Sequence, residues 1–281
     1  MSAATALPQR PSDRPLVMAV VNVTPDSFSD GGRWFDTDAA VAHGEALLAQ
    51  GADILDVGGE STRPGAGRPD EDEERRRILP VVTALTNAGA CVSVDTMRAS
   101  VAEAAVGAGA AIVNDVSGGL ADPAMAGVVA GLDVPYVVMH WRGHSRDMQS
   151  RAVYDDVVAD VSRELGERVD ALVSVGVRRE QLVLDPGFGF AKTAAQNWTM
   201  LARIGEFERL GLPVLVGTSR KSFLSRLADP EGEPSPPDQR DHATAATSLL
   251  LARADVWGVR VHDVPSTMAA LQVNARVEAA R

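Results

Sequence analysis

Asp95, Asn114 and Asp185 each close a short apolar, β-branched run: Val92-Ser93-Val94-Asp95, Ala111-Ile112-Val113-Asn114 and Leu182-Val183-Leu184-Asp185. Carboxylates accept from ring N–H and exocyclic NH₂ groups, and an amide both donates and accepts. Brought together, such groups suit a flat, nitrogen-rich heterocycle. A second set is basic. Ser219-Arg220-Lys221 follows one apolar run and Arg260-Val261-His262 ends another. A two-residue spacing on a strand points Arg260 and His262 to the same side, which suits an anion such as a phosphate. Lys221 is not part of a nucleotide-binding loop of the Walker type, because Arg220 stands where that loop requires glycine. Each residue also has a plainer role. Asp95 and Asn114-Asp115 could cap helices, Asp185-Pro186-Gly187 could only turn the chain, and the cations could form surface salt bridges.

The spacing of these residues makes the plainer roles insufficient. Eight apolar runs recur, finishing at Asn22, Gly58-Gly59-Glu60, Asp95, Asn114, His140, Asp185, Ser219-Arg220-Lys221 and Arg260-Val261-His262, with Ala-, Leu- and Glu-rich stretches between them. The predicted strands are 16–22, 53–58, 90–95, 111–114, 136–140, 182–185, 213–217 and 256–262. Helices are predicted from Asp38, over Glu71–Ala88, over Val153–Val175 and over Ala243–Ala254. Eightfold strand–helix alternation with polar groups at the strands' C-terminal ends predicts an α/β protein, a single (β/α)₈ TIM barrel with its active site on that rim. Residues 1–15, rich in prolines and charges, read as a flexible N-terminal leader, and residues 16–281 as the barrel domain. The Pro-rich stretch from Asp229 to Asp238 reads as an exposed excursion.

Bulk composition narrows the partners. The chain has 281 residues, 45% apolar and 23% charged, ordinary for a globular domain. A formal charge of −11 argues against nucleic acid and means that an anionic substrate must be held by a local basic cluster. No run approaches the ~18 apolar residues of a membrane span, and no signal peptide is apparent, so the expectation is a cytoplasmic protein with no membrane partner. The single cysteine, Cys91, excludes an internal disulfide and reads as a small buried hydrophobe. His43, His144 and His242 form no metal-ligand spacing, and His140 and His262 stand apart.

The connecting segments are more specific than the strands. Asn22-Val23-Thr24-Pro25-Asp26-Ser27-Phe28-Ser29-Asp30-Gly31-Gly32 and Asp56-Val57-Gly58-Gly59-Glu60-Ser61-Thr62-Arg63-Pro64-Gly65 resemble the two signature loops of the dihydropteroate synthase family. Asp185-Pro186-Gly187-Phe188-Gly189-Phe190-Ala191-Lys192, Gly217-Thr218-Ser219-Arg220-Lys221-Ser222 and Arg260-Val261-His262-Asp263-Val264 extend the resemblance almost to the C-terminus, in order.

The resemblance implies a pterin-binding barrel that condenses 6-hydroxymethyl-7,8-dihydropterin diphosphate with p-aminobenzoate, releasing diphosphate, in folate biosynthesis. It implies that Asp95, Asn114, Asp185, Lys221 and Met139 hold the pterin, and that Asn22, Thr62, Arg63, Arg260 and His262 hold the diphosphate. Asn22 would also meet a Mg²⁺ ion. Phe28, Pro64, Phe190, Ser219 and Arg220 would form the p-aminobenzoate site, which is the family's sulfonamide site. Asp30, Arg63, Asp95, Asp185 and Lys221 would carry the chemistry, and a homodimer is implied. Two alternatives remain at this stage: a pterin-binding paralogue without catalysis, and a pterin methyltransferase domain working with a corrinoid partner.

Overall fold

A computed structural model of the chain describes residues 6–24, 37–60, 69–143, 148–227, 229 and 231–281. Among the described residues eight parallel strands alternate with eight α-helices. The strands are β1 (Leu16–Asn22), β2 (Ile54–Gly58), β3 (Val92–Asp95), β4 (Ile112–Asp115), β5 (Tyr136–Met139), β6 (Leu182–Asp185), β7 (Leu215–Val216) and β8 (Gly258–Val261). The helices are α1 (Thr37–Ala49), α2 (Glu71–Asn87), α3 (Ala99–Gly107), α4 (Met125–Leu132), α5 (Val157–Val175), α6 (Ala194–Ala202), α7 (Asp241–Arg253) and α8 (Val264–Glu278). The sheet runs β6-β5-β4-β3-β2-β1-β8-β7, and a parallel bridge between Leu184 and Val214 closes it. This is the (β/α)₈ barrel that the alternation predicts.

Side chains on a strand alternate between two faces, so each strand divides by parity. Val17, Ala19 and Val21, Leu55 and Val57, Val92 and Val94, and Leu182 and Leu184 belong to the large apolar layer shared with the helices. The other parity faces the barrel axis. There a small separate cluster of Leu16, Met18, Ile54, Ile112, Val137, Val183, Leu215 and Trp257 fills the lower half of the interior. Two residues further along the same strands the inward side chains become Asp56, Asn114, Met139 and Asp185.

Element ends follow local chemistry. Helix α5 begins at Val157, four residues later than predicted, because the Asp156 carboxylate accepts from the N–H groups of Val158 (2.9 Å) and Ala159 (3.1 Å) and so caps it. Strand β7 is shorter than predicted. Pro213 has no N–H to give and serves only as acceptor, through its carbonyl, for the Leu184 N–H at 2.8 Å. The excursion over residues 231–239 is largely exposed.

Residues 6–15 correct the expectation of a loose leader; the first five residues lie outside those described. Leu7 packs on the interior cluster at the barrel's N-terminal end, and the Pro8 carbonyl accepts from Trp257 Nε1 at 3.1 Å. Arg10 donates to the carbonyls of Asp255 (3.0 Å) and Val256 (3.1 Å). Arg14 forms a two-pronged pair with Asp53 (2.5 and 2.9 Å), and Asp53 also accepts from the Val17 N–H at 2.7 Å. Proline and charge in a sequence read as solvent-facing, yet here the charges find partners across the barrel floor. Loss of that half-buried, charge-assisted pair should lower stability by about 2 kcal/mol. Arg14→Ala is accordingly expected to unfold at lower urea concentration, while steady-state kinetics, governed by the opposite rim, stay as in the wild type.

Candidate active site

The polar layer above the apolar plug is built around Arg260 on β8. Its Nε donates to Asp56 Oδ2 at 2.6 Å and its Nη2 donates to Asp95 Oδ2 at 2.7 Å. Asn114 Nδ2 donates to the same Asp56 oxygen at 2.9 Å. One guanidinium thus ties β8 to β2 and β3, and an amide adds β4. Strand register makes this possible: Gly58 lies opposite Asp95, and a Cβ at Gly58 would come within 3.3 Å of the Asp95 Cβ. Burial, only partly opposed by Arg260, raises the Asp95 carboxyl to about 7, and the nearby Asp56 charge adds to the rise. Arg260 moves upward in spite of burial, because Asp56 and Asp95 favour its charged form. Asp56 is fully buried and its Oδ1 has no hydrogen-bond partner among the described residues.

Across the barrel, Asp185 ends β6 and accepts from the Gly187 N–H at 2.7 Å. Burial raises its pKa against that hydrogen bond and the charges of Lys221 and Arg260. Lys221 is lowered to about 8, by burial first and by Arg260 second. Its Nζ lies 3.9 Å from the centroid of the Phe190 ring, a cation–π contact. The stem crosses Gly189, where a Cβ would come within 2.8 Å of the lysine Cδ and where φ is +77°; both conditions call for glycine.

The third corner joins β7 and β8. Ser219 Oγ accepts from the His262 N–H at 3.1 Å and lies 2.9 Å from His262 Nδ1. The two contacts fix the orientation of the His262 ring relative to β7. Asn22, at the end of β1, joins this side. Val20, Asn22, Asp95, Asn114, Met139, Asp185, Phe188, Phe190, Ser219, Lys221, Arg260 and His262 border one cleft that is open to solvent.

Thus Asn22, Asp95, Asn114, Met139, Asp185, Phe190, Ser219, Lys221, Arg260 and His262 converge as the strand ends foretell. Arg220 does not join them. Its Nε and Nη2 pair with Asp241 at the start of α7, both at 2.8 Å, with φ at +60° turning its backbone away from the strand. Phe28, Asp30, Thr62, Arg63 and Pro64 lie outside the described residues. Ser219 is in the cleft, but its hydroxyl is engaged by His262.

Two residues escaped sequence reasoning. Asp56 has a signal: a carboxylate in the middle of Ile54-Leu55-Asp56-Val57, at the inward parity, must meet a cation. Lys192, buried behind the β6–α6 connection, has none in the sequence, because its partners come from β5 and from its own loop.

The family pattern of the pterin binding enzymes matches residues 18–262. The dihydropteroate synthase of Mycobacterium leprae is 54% identical over 259 residues, 92% of this chain and 91% of that protein. The Xanthomonas albilineans dihydropteroate synthase in complex with 7,8-dihydropteroate superposes with a TM-score of 0.84 at 43% identity, covering 95% of both chains. The Yersinia pestis dihydropteroate synthase with a sulfonamide drug complex superposes with a TM-score of 0.87 at 38% identity, again covering 95% of both. Sequence and shape agree along nearly the whole chain, and the protein belongs to the dihydropteroate synthase family of pterin-binding enzymes.

Proposed function

We propose that the protein condenses 6-hydroxymethyl-7,8-dihydropterin diphosphate with p-aminobenzoate to give 7,8-dihydropteroate and diphosphate. The observation that carries this reading is the convergence, at one barrel mouth, of an acidic and amide floor with a basic corner (Asp95, Asn114 and Asp185 facing Lys221, Arg260 and His262). Asn114, Asp185, Lys221 and Met139 hold the pterin. Arg260 and His262 hold the diphosphate, with Ser219 orienting the His262 ring. Phe190 offers a flat face to p-aminobenzoate.

The reaction breaks the bond between the pterin methylene and the diphosphate oxygen, whose electron pair leaves with diphosphate. The resulting cation is delocalised into the dihydropterin, and the arylamine nitrogen attacks it and sheds a proton. Arg260 and His262 favour departure by stabilising the growing negative charge. Asp95 and Asp185 favour the cation, since a buried carboxylate acts on positive charge far more strongly than one in water. The amine requires positioning more than activation.

The donor chemistry at Asn22 fits magnesium. Its amide supplies one neutral oxygen, and Mg²⁺ is commonly held by one or two protein oxygens together with substrate phosphates. When bound there, the ion would neutralise leaving-group charge. In this reading the protein works in the cytoplasm. No helix among the described residues is long and apolar enough to cross a membrane. A homodimer is supported by exposed apolar side chains on the packed pair α7 and α8: Leu250, Val273 and Val277.

The direct test is diphosphate release by the purified protein. Release should require both substrates and Mg²⁺, and EDTA should abolish it reversibly. Absence of release with all three present would overturn the reading in favour of a binding protein, and methyl transfer to a corrinoid would favour the methyltransferase. The pH profile tests Asp95. The carboxyl must be ionised to stabilise a cation, so kcat/KM for the pterin substrate should fall as pH drops below about 7. Asp95→Asn should lack that acid limb and be slower by about 10²–10³ at pH 8. An unchanged limb in the variant would assign the titration to another group. For the assembly, analytical ultracentrifugation should find twice the mass of one chain, and Val273→Glu should return it to one.

A further inference from the structure

We propose that Lys192 is a positioning residue for the second substrate: its buried ammonium gathers the β6–α6 loop around itself and thereby fixes Phe190 at the cleft. The proposal rests on the reading above, in which p-aminobenzoate packs on Phe190. Lys192 is 3% exposed, lies behind the loop and is not one of the residues that border the cleft. An ammonium has three N–H donors. Lys192 Nζ has three acceptors: the carbonyls of Gly187 (2.9 Å) and Phe190 (3.1 Å), and His140 Nδ1 (3.1 Å).

The acceptors are themselves held. Since His140 Nδ1 accepts, its Nε2 carries the proton and donates to Glu164 Oε2 at 2.9 Å. Glu164 on α5 is fixed by Arg142, whose Nε and Nη2 donate to it at 3.0 and 2.5 Å. Arg142 stacks over the Tyr154 ring, 3.8 Å from its centroid, and the Tyr154 hydroxyl donates to the Ala191 carbonyl at 3.0 Å. The chain of contacts therefore begins at the loop and returns to it. Burial lowers Lys192 to about 7 against the pull of Asp185, while the three acceptors around Nζ favour its protonated form; burial lowers His140 to about 4, which keeps the imidazole neutral.

The loop takes a shape that it would not hold alone. Gly187, Gly189 and Ala191 all have positive φ (+72°, +77° and +47°), so the chain reverses on itself and brings the carbonyls of residues 187 and 190 to one nitrogen. A Cβ at Gly187 would come within 2.6 Å of the His140 carbonyl. Ala191 has no such freedom, and a left-handed non-glycine residue persists only where its surroundings over-determine it. Asn197 adds a separate tie, accepting from the Gly189 N–H at 2.8 Å. The outcome is that Phe190 stands under Lys221 with its ring fixed. An apolar side chain of lysine's size could fill the same space without the desolvation of a charge. What it could not do is hold two carbonyls and an imidazole at one point.

The test is Lys192→Met in the full-length protein, with KM measured for each substrate. Loss of a fixed aromatic face should raise KM for p-aminobenzoate about tenfold, and lower sulfonamide affinity in parallel. KM for the pterin diphosphate should change by less than about threefold, because Asp95, Asn114, Met139 and Asp185 are placed by strands β3, β4, β5 and β6 themselves and none of them bonds to Lys192. Equal changes in both KM values, or a fall in kcat alone, would overturn the proposal. Should that variant not fold, His140→Leu removes one acceptor of three; it should raise KM for p-aminobenzoate selectively by about threefold, and an unchanged value would be equally fatal. A wild-type protein that releases no diphosphate would instead defeat the functional reading itself.

Discussion

Arg260 joins three strands by their buried side chains, and the mouth of the barrel is organised about that one guanidinium. Backbone pairing alone would leave Asp56 and Asp95 as two carboxylates facing each other in a low dielectric, a repulsion that would drive one to take a proton or leave the core. A planar, always-charged fork can satisfy both at once, with Nε on one and Nη2 on the other. Lysine could reach only one as a point charge. With Asp56 also accepting from Asn114, two of the ring-binding candidates are oriented through a residue that no substrate needs to touch.

This hub depends on the layer beneath it. Met18, Ile54, Ile112, Val137, Val183 and Leu215 pack the lower interior, and the N-terminal segment seals the far end. Water has little access to the polar layer from below, so its charges act on one another and on whatever enters from above. The chain carries a net charge of −11, yet Arg260 and Lys221 stand together in the cleft, a local basic pair that the bulk charge does not foretell.

How much of this was legible in the sequence follows from the range of each interaction. Parity along a strand is local, so Asp95, Asn114, Asp185, Arg260 and His262 could be assigned to one rim from their own strands. Their mutual bonds could not be read, because Arg260 meets Asp56 across 204 positions of sequence. Arg220 shows the reverse case. It neighbours Lys221 in a motif, but a left-handed backbone turns it toward Asp241, a partner set by where α7 begins. The N-terminal segment misled because prolines and charges resemble solvent-exposed chain until Asp53 and Trp257 supply partners. Lys192 is the hardest case. Its acceptors are two carbonyls and an imidazole, and carbonyls leave no trace in a sequence.

The raised pKa of Asp95 bears on catalysis in a way that its geometry alone does not. Its carboxylate is short of positive charge: burial and the adjacent Asp56 outweigh the single cation that both share. A ground state with that shortage gains most when positive charge develops nearby. A cation formed at the pterin during the proposed reaction supplies the missing charge, and the interaction that disfavours ionisation in the empty site becomes one that favours the transition state. Because the carboxylate is already in place, no dipole need reorient as the bond breaks. In the proposed reaction Arg260 would serve both halves of that event, holding Asp95 from one side while its own charge met the departing anion. Differential binding of this kind raises turnover without tightening the hold on substrate, and it requires the floor and the corner to be one connected structure.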